Sequence, residues 1–480
     1  MLTDNVLLEI FDFCRLNDHL YQVWRWHSLV QVCRRWRQII FASPRRLDLK
    51  LLCTDKAPAS VRKYLSIWPA IPIIVKYGYC DADGRNISPD EDNIIAALEH
   101  PDRVCRVELD IKGSQLGKIA KVMQEPFPVL TLLSISSEDD SEDEKFAALP
   151  GGFLGGSAPC LQELELSSIS FPALSTLLLS ANDLVELKLR DVPPTGYISP
   201  EAMVVHLVTL PRLETFHIGF QSADSRPDRM LLLPETRAVL PALHELFVFS
   251  VCGYSEDFLA RIDTPQLNSI ALSYLDHVDF EVPQLFEFIN RSENLKDILS
   301  SQCEIMPIYD DDAVNFSIGG VSSDKAERCD SSTGISVEIV CDEIDRQIMR
   351  LTHMLGWISP ILSEVVHLII DDYELFISEH DNGLDELDDM QWVQLLRPFS
   401  SIQTLFVSET IAGDISCILD YMAEVTVNPL LPALELLCLE HQPLSSVDNF
   451  AAAVRQDSVH PVTIVNTKRE FEGRLKSYPY

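Results

Sequence analysis

The sequence is poor in positive charge and lacks the short motifs of common catalytic and metal sites. Over 480 residues it has 38 Lys and Arg against 73 Asp and Glu, which gives a formal net charge of −35. A surface of that sign repels nucleic acid and anionic membranes, so we expect neither as a partner. No G-x-S-x-G, H-E-x-x-H or Walker sequence is present, and these motifs mark many hydrolases, zinc proteases and nucleotide-binding enzymes. We therefore expect no catalytic residues, no cofactor and no metal.

Signals for disulfides and membrane insertion are also missing. The twelve cysteines are scattered and no C-x-x-C pair occurs, which favours free thiols in a reducing compartment. The first 14 residues contain acids and no basic leader, so they do not predict a signal peptide. The nearest approach to a long apolar run, residues 67–75, contains two prolines and falls short of the ~20 residues of a membrane span. We expect a soluble protein of the cytoplasm or nucleus.

What the sequence does have is a large apolar content and an uneven distribution of charge. It is 46% hydrophobic, which supports a sizeable core, and its length predicts either two to four domains or one long repeat array. Residues 1–62 contain ten Lys and Arg and six Asp and Glu, a net of +4 that leaves −39 for the remaining chain. This opposite sign indicates a separate role for the amino-terminal segment.

The amino-terminal segment contains two apolar stripes at helical spacing. The first lies within residues 3–14 and the second within residues 29–40, with Arg34, Arg35 and Arg37 off the apolar side. Ser43-Pro44 should end the second helix, because the residue before a proline is pushed out of the helical region. One interpretation is a helical hairpin that packs on the rest of the protein, with Trp36 in its core.

The order of these elements supports a second interpretation. L-x-x-x-V-L-L-E-I-F, a polar break, L-V-x-V-C-R-x-W-R and S-P-x-x-L-x-L follow one another within residues 2–49. This order resembles the F-box, a three-helix module that docks substrate receptors onto the Skp-type adaptor of cullin–RING ubiquitin ligases. The sequence departs from the family in its Leu2-Thr3 opening, where Leu-Pro is usual, and in a lengthened middle segment with Trp24 and Trp26.

The resemblance implies which residues contact the adaptor. They are Leu2, Val6, Leu7, Ile10, Phe11, Leu29, Val32, Cys33 and Trp36. A unit of about 50 residues buries too little surface to be stable alone, so its surplus apolar side is expected to be an interface.

Ten short segments in the rest of the chain share one pattern. Six consist of a proline, any residue, a leucine, two residues and then two apolar residues separated by one, and they begin at Pro128, Pro159, Pro211, Pro241, Pro265 and Pro432. Four fit without the proline and begin at Val104, Leu184, Val365 and Ile402. Apolar residues two apart predict a strand with one buried face. The spacing of ~23–31 residues between successive leucines overlaps that of leucine-rich repeats, although an ordinary α/β sheet with unrelated strands is the alternative.

Together these patterns predict an α/β fold, a small all-helical F-box module followed by an irregular leucine-rich-repeat-like α/β solenoid. We assign residues 1–62 to the helical module, 63–100 to a linker into the repeats and 101–480 to the repeat body. Within the body, residues 136–145 form an acidic insertion and residues 275–364 an irregular segment with two strands and a helix over 343–355. The whole chain resembles the basidiomycete F-box proteins with degenerate leucine-rich repeats, through blocks at residues 389–409 and 451–456.

Candidate binding residues follow from the repeat interpretation, because solenoids usually bind partners on the face lined by strands. Variable positions of the predicted strands are Glu163, Glu165, Glu186, Lys188, His217 and His244, which we take as candidate substrate-binding residues. The acidic run SSEDDSEDEK is either a solvated, mobile insertion or an acid-directed phosphorylation site at Ser137 or Ser141. Cys329, Cys341 and His353 are lone residues of a kind that is more often structural than metal-binding.

Three functions are compatible with these features. The first is a substrate receptor, in which the F-box binds a Skp-type adaptor, and through it a cullin–RING ligase, while the repeats bind an unknown protein substrate. Such a subunit has no catalytic activity of its own, because other subunits transfer the ubiquitin. The second is an F-box protein that acts outside a ligase, and the third is a hydrolase without a recognisable motif.

Overall fold

The computed structural model describes most of the chain in two units. Unit 1 comprises Met1–Ile198 and His206–Thr215, and unit 2 comprises Ser199–Val205 and Phe216–Tyr480. The described residues are 2–13, 25–44, 47, 49–53, 61–68, 70–78, 90–137, 147–222, 236–275, 281–298, 302–308, 313–320, 333–340, 344–370, 389–408, 430–440 and 462–467. Ser141, Cys329, Cys341, the block at residues 451–456 and nearly all of the acidic insertion lie outside these ranges.

Unit 1 begins with three helices and continues as a parallel sheet with short helices between its strands. Its elements are α1 (Asp4–Phe13), α2 (Arg25–Val32), α3 (Arg34–Ala42), β1 (Leu51–Cys53), α4 (Val61–Ile67), β2 (Ile73–Tyr77), α5 (Glu91–Leu98), β3 (Val104–Asp110), α6 (Gly113–Val122), β4 (Leu132–Ser136), β5 (Ala147–Ala148), β6 (Glu163–Ser167), β7 (Ile169–Ser170), α7 (Leu174–Leu178) and β8 (Glu186–Val192). Strands β1, β2, β3, β4, β6 and β8 pair in that order, all in parallel. Short strands β5 and β7 form a separate parallel pair.

Unit 2 contains more strands and a longer helix. After α8 (Pro200–Leu207), which straddles the boundary between the units, its elements are β9 (Thr215–Phe220), β10 (Ala238–Val239), β11 (Glu245–Ser250), α9 (Cys252–Arg261), β12 (Ile262–Asp263), β13 (Ser269–Tyr274), α10 (Pro283–Arg291), α11 (Glu293–Ile298), β14 (Gln302–Ile308), β15 (Ala313–Gly320), β16 (Thr333–Val340), α12 (Ile344–Leu362), β17 (His367–Ile370), α13 (Asp389–Leu396), β18 (Thr404–Val407), β19 (Leu436–Glu440) and β20 (Thr463–Thr467).

The predicted α/β repeat fold is confirmed by this topology. All ten segments that share the sequence pattern are strands. Nine of them, all except β9, have parallel pairings that the structure describes. The sheet also starts earlier than the predicted repeat body. Strand β1 lies within the segment assigned to the helical module, and residues 63–100, assigned to a linker, contribute β2 to the sheet.

The irregular segment of unit 2 is an antiparallel insertion. Strand β16 pairs in parallel with β13, after which β15 and β14 return antiparallel, and β14 pairs in parallel with β17. From β17 the parallel order continues through β18, β19 and β20. The two predicted strands, β15 and β16, are confirmed, whereas β14 was not predicted and α12 runs seven residues beyond the predicted end at residue 355.

A tight turn explains the proline–leucine pattern. In unit 1 the amide of Leu161 donates to the carbonyl of Ala158 at 3.2 Å, so Pro159 is the second residue of a four-residue turn. The same bond joins Leu130 to Phe127 at 3.2 Å, and in unit 2 Leu267 to Thr264 at 3.3 Å. Proline is favoured at this position because its ring fixes φ near the value that the turn needs. The leucine that follows is fully buried and lies two residues before the first residue of the strand.

Successive repeats of unit 2 are also joined by a buried carboxylate. Glu256 of α9, which is 2% exposed, accepts hydrogen bonds from the backbone amides of Gln284 at 2.6 Å and Leu285 at 3.0 Å. These amides belong to the first turn of α10, where the helix has no other acceptor for them, so Glu256 caps a helix of the next repeat. Burial raises the pKa of Glu256 to about 7, although the two amides oppose the shift.

Helices that could cross a membrane are not found in the part of the chain that the structure describes. The same residues contain no group of three His, Cys, Asp or Glu side chains placed to bind a metal ion.

The turn predicts unequal effects for its two pattern residues. Pro159→Ala should lower the free energy of unfolding by about 0.4–1 kcal/mol, because the exposed proline acts through the entropy of the unfolded chain. Leu161→Ala should lower it by about 2–5 kcal/mol, because it removes a fully buried side chain. Urea denaturation followed by circular dichroism measures both, and a proline effect as large as the leucine effect would contradict the role of the turn.

Glu256 predicts a pH-dependent contribution to stability. Because its pKa rises from the ordinary 4.5 to about 7 on folding, the folded state binds its proton more tightly, so stability from this group is complete below pH 4.5 and is lost as pH rises through 7. The loss is of order 3 kcal/mol. Glu256→Gln should flatten this part of the stability profile relative to the wild type, whereas Glu293→Gln, at an exposed position in α11, should leave it unchanged. Parallel profiles for all three proteins would show that Glu256 has an ordinary pKa.

Candidate functional site

The three amino-terminal helices divide the predicted adaptor residues between a core and a surface. Leu7 and Phe11 are buried, and the ring of Phe11 meets that of Trp36 edge to face with centroids 4.9 Å apart. Leu29 and Trp36 are half-buried and Cys33 is exposed. The second predicted helix is broken at Cys33, which is extended and whose sulfur accepts the amide of Trp36 at 3.4 Å, so that it caps α3.

The remaining predicted adaptor residues are large apolar side chains in contact with solvent. Leu2, Val6, Ile10 and Val32 are 53%, 43%, 40% and 59% exposed, and we call them the amino-terminal apolar surface. Val6 and Ile10 are four residues apart and therefore lie on one side of α1, and Leu2 precedes this helix. Arg35 holds this end of the chain, because it donates to the carbonyl of Leu2 at 2.6 Å and to the carboxylate of Asp4 at 2.7 Å.

The sheet of unit 1 has one face whose side chains alternate with the buried leucines, and we call it the strand face of unit 1. The predicted residues Glu163, Glu165, Glu186 and Lys188 lie together on it. Parallel register places Glu163 beside Glu186 and Glu165 beside Lys188. The structure therefore brings these four predicted residues together on two neighbouring strands.

Charges of opposite sign alternate across this face and pair with one another. Glu108 of β3 contacts both Lys76 of β2 and Arg106 of its own strand. Lys188 lies 2.7 Å from Glu186, and Arg190 lies 3.5 Å from Glu165. The strand face of unit 1 thus supplies its own counter-charges.

The pKa values of two carboxylates on this face show that the pairing of charges is uneven. Burial would raise the pKa of Glu108, but hydrogen bonds and charge from Lys76 and Arg106 bring it below its ordinary value. The pKa of Glu163 is raised, first by burial and then by the negative charge of Glu186. Glu163 is therefore the less well compensated of the two carboxylates.

The corresponding face of unit 2 has a different chemistry. Strands β11, β13 and β16 align Phe247, Ala271 and Ser336 in one row and Phe249, Ser273 and Glu338 in the next. Glu245 and Ser269 form a further matched pair at the start of β11 and β13. The strands described from β9 to β20 contain no Lys or Arg. This face carries carboxylates and aromatic rings without a cation from its own strands.

The other predicted residues are dispersed or buried. His217 is almost fully buried, with its ring centroid 5.4 Å from that of Phe247, and His244 is half-buried just ahead of β11. Ser137, a predicted phosphorylation site, is buried, so its hydroxyl is not accessible to a kinase in the folded protein. His353 is exposed on α12, with its ring 6.4 Å from that of Trp357.

Sequence reasoning missed the residues that distinguish the strand face of unit 2. Phe247, Phe249, Ser273 and Glu338 were not selected, although each occupies an alternating position of a strand. The absence of Lys and Arg from consecutive strands was the available signal. The sequence could not predict which of these side chains are neighbours, because β16 lies beside β13 only as a result of the antiparallel insertion.

Comparison with known proteins does not assign a family. No protein-family model matches the sequence, and no curated protein matches it. Among solved structures, the leucine-rich repeat-containing protein LegL7 from Legionella pneumophila is similar over 85% of this chain and 97% of its own, with a TM-score of 0.29 and 10% sequence identity. At that level the likeness carries no weight of its own, so the repeat fold is assigned from the order and register of the strands.

Proposed function

We propose that the chain is a substrate receptor of a cullin–RING ubiquitin ligase. The amino-terminal helices bind a Skp-type adaptor, and the strand faces of the repeats bind a protein substrate. The repeat architecture itself is of a kind that binds proteins. The adaptor role is supported by the resemblance of residues 2–49 to the F-box and by the amino-terminal apolar surface.

The observation that carries the proposal is the division of the two apolar stripes. Leu7 and Phe11 are buried, and Phe11 packs on Trp36, whereas Val6, Ile10 and Val32 are in contact with solvent. Burying such side chains against a partner is worth about 1.5–3 kcal/mol each. A helical partner surface with complementary apolar side chains would therefore bind at this position, as the Skp-type adaptor does with F-boxes.

The second candidate, an F-box protein that acts outside a ligase, uses the same adaptor surface. The two functions differ only in whether a cullin joins the complex. In both, we expect the chain to have no catalytic activity of its own.

Substitution of the exposed stripe should remove adaptor binding without unfolding the helices. Val6→Asp with Val32→Asp places two carboxylates at the proposed interface, where burial without a partner costs several kcal/mol. The double variant should fail to co-purify with a co-expressed Skp-type adaptor, whereas the wild type retains it. Leu7→Asp is unsuitable for this test because Leu7 is buried and its substitution should unfold the module.

A matched control is available elsewhere in the chain. Val205→Asp with Val208→Asp makes the same chemical change at two exposed valines, and this variant should retain the adaptor. Loss of adaptor from the control, or none bound to a wild-type chain of normal helical circular dichroism, would overturn the proposal. Adaptor without a cullin in the same purification from native cells would favour action outside a ligase.

A further inference from the structure

Helix α12 has a solvent-exposed side that carries no formal charge. Of its side chains that the structure describes, only Arg350 is charged, and it is buried at 7% exposure. Solvent instead contacts Met349 and Trp357, which are 62% and 39% exposed, and the exposed ring of His353. Helix α10, by contrast, exposes Glu287. The composition of this side of α12 is typical of the centre of a protein–protein interface, where charged residues are depleted and aromatic residues and methionine are enriched.

The same side of α12 has a row of large side chains next to a row of compact ones. Three large side chains are four residues apart and make a ridge, namely Met349, His353 and Trp357. Three compact residues at the same spacing make the groove beside it, namely Thr352, Gly356 and Pro360. In the commonest class of helix contact, rows of this spacing pack into the grooves of a second helix, with the two axes about 50° apart. This side of α12 is therefore complementary in shape to a second copy of itself.

Gly356, at the middle of the groove, is not required by the packing of the chain itself. A Cβ atom at this position would meet nothing within 4 Å beyond its own helix backbone, so an alanine would fit the folded chain. Glycine also makes a helix less stable than alanine does. A second helix that crosses α12 at Gly356 would make use of the missing side chain, because the two backbones can approach each other more closely there.

Charge favours a second copy of the chain as the partner. A two-fold axis places the same surface of both copies in contact, so a charged surface would set like charges against each other. The formal net charge of −35 opposes self-association over the surface as a whole, whereas the uncharged side of α12 avoids this repulsion. Helix α13, which packs against α12, adds a further exposed apolar side chain, Met390 at 52% exposure.

We propose that the chain forms a two-fold symmetric dimer through α12. The ridge of Met349, His353 and Trp357 in each copy packs into the groove at Gly356 of the other copy. A contact built on one helix and the start of the next is near the lower limit of specific interfaces, about 1,200 Å² in total, so the dimer should dissociate on dilution. The inference goes beyond the proposed function and does not depend on it, because the amino-terminal apolar surface takes no part in this contact.

Sedimentation velocity of the full-length chain at increasing concentration measures the dimer. The weight-average mass should rise from that of one chain, 54.1 kDa, towards twice that value. The variant Val6→Asp with Val32→Asp should associate to the same extent, because its substitutions lie in the amino-terminal apolar surface. The mass of one chain at every concentration would overturn the inference, and so would association that disappears in the amino-terminal variant.

Two variants in α12, each with a matched control, locate the contact. Gly356→Ala should raise the dissociation constant of the dimer at least tenfold, whereas Gly117→Ala, the same change at an exposed glycine of α6, should alter it less than twofold. Met349→Asp should also raise the dissociation constant at least tenfold, whereas Val205→Asp, at a position of similar exposure in α8, should alter it less than twofold. A dimer that neither α12 variant weakens, or that the controls weaken equally, would contradict the proposed contact.

The glycine variant separates loss of the dimer from loss of the fold. Because alanine fits at residue 356 and favours a helix, the urea midpoint of Gly356→Ala should equal or exceed that of the wild type when both are dilute enough to be monomeric. This variant should also still co-purify with the Skp-type adaptor. A wild-type chain that retains the adaptor but stays monomeric overturns this inference alone, and one that dimerises but binds no adaptor overturns the ligase role alone.

Discussion

The backbone hydrogen bonds between strands of successive repeats are the constraint on which the fold of each unit depends. In unit 1 the amides of Val185 and Glu186 both donate to the carbonyl of Gln162, just after the turn that buries the pattern leucine. The same arrangement recurs in unit 2, where Asn268 and Ser269 donate to His244. Since this register fixes which residues face the helices, the side chains between them form a continuous row across the strands. The strand faces are thus a consequence of the register rather than of any local motif.

The pairing of parallel strands continues on both sides of the segment between β13 and β17, where the repeat pattern lapses. Between β13 and β17 the chain inserts three strands, yet the outer two, β16 and β14, each present a parallel edge to their neighbours outside the insertion. Unit 2 also uses side chains to hold the next repeat. Glu256 caps the start of α10, and at the other end of that helix Arg291 donates to the carbonyl of Leu259 and the carboxylate of Asp263, both at 3.1 Å. Side chains of one repeat thus hold both ends of a helix in the next repeat.

The fold class could be predicted from the sequence because buried positions recur in a local pattern of residues, whereas the pairing of strands leaves no such pattern. The leucine patterns predicted ten strands correctly, since each repeats the same turn and the same buried positions. Strands β1, β2, β14 and β20 were missed because they lack the proline–leucine turn, and in β14 a proline at residue 307 made a strand less evident. At the amino terminus the apolar stripes were visible, but which of their residues are buried depends on the docking of Phe11 on Trp36. That contact joins residues 25 positions apart, and neither helix alone specifies it.

The strand faces of the two units differ in the charged side chains that their strands contribute. Carboxylates on neighbouring strands repel each other, and cross-strand pairs of opposite charge are worth up to about 1 kcal/mol each. The strand face of unit 1 follows this rule, as Glu108 with Lys76 and Glu165 with Arg190 show. The described strands of unit 2 contain no Lys or Arg, so no pair of this kind forms between neighbouring strands there. Because the faces of both units follow from strand register, this difference in charge lies in the side chains and not in the backbone.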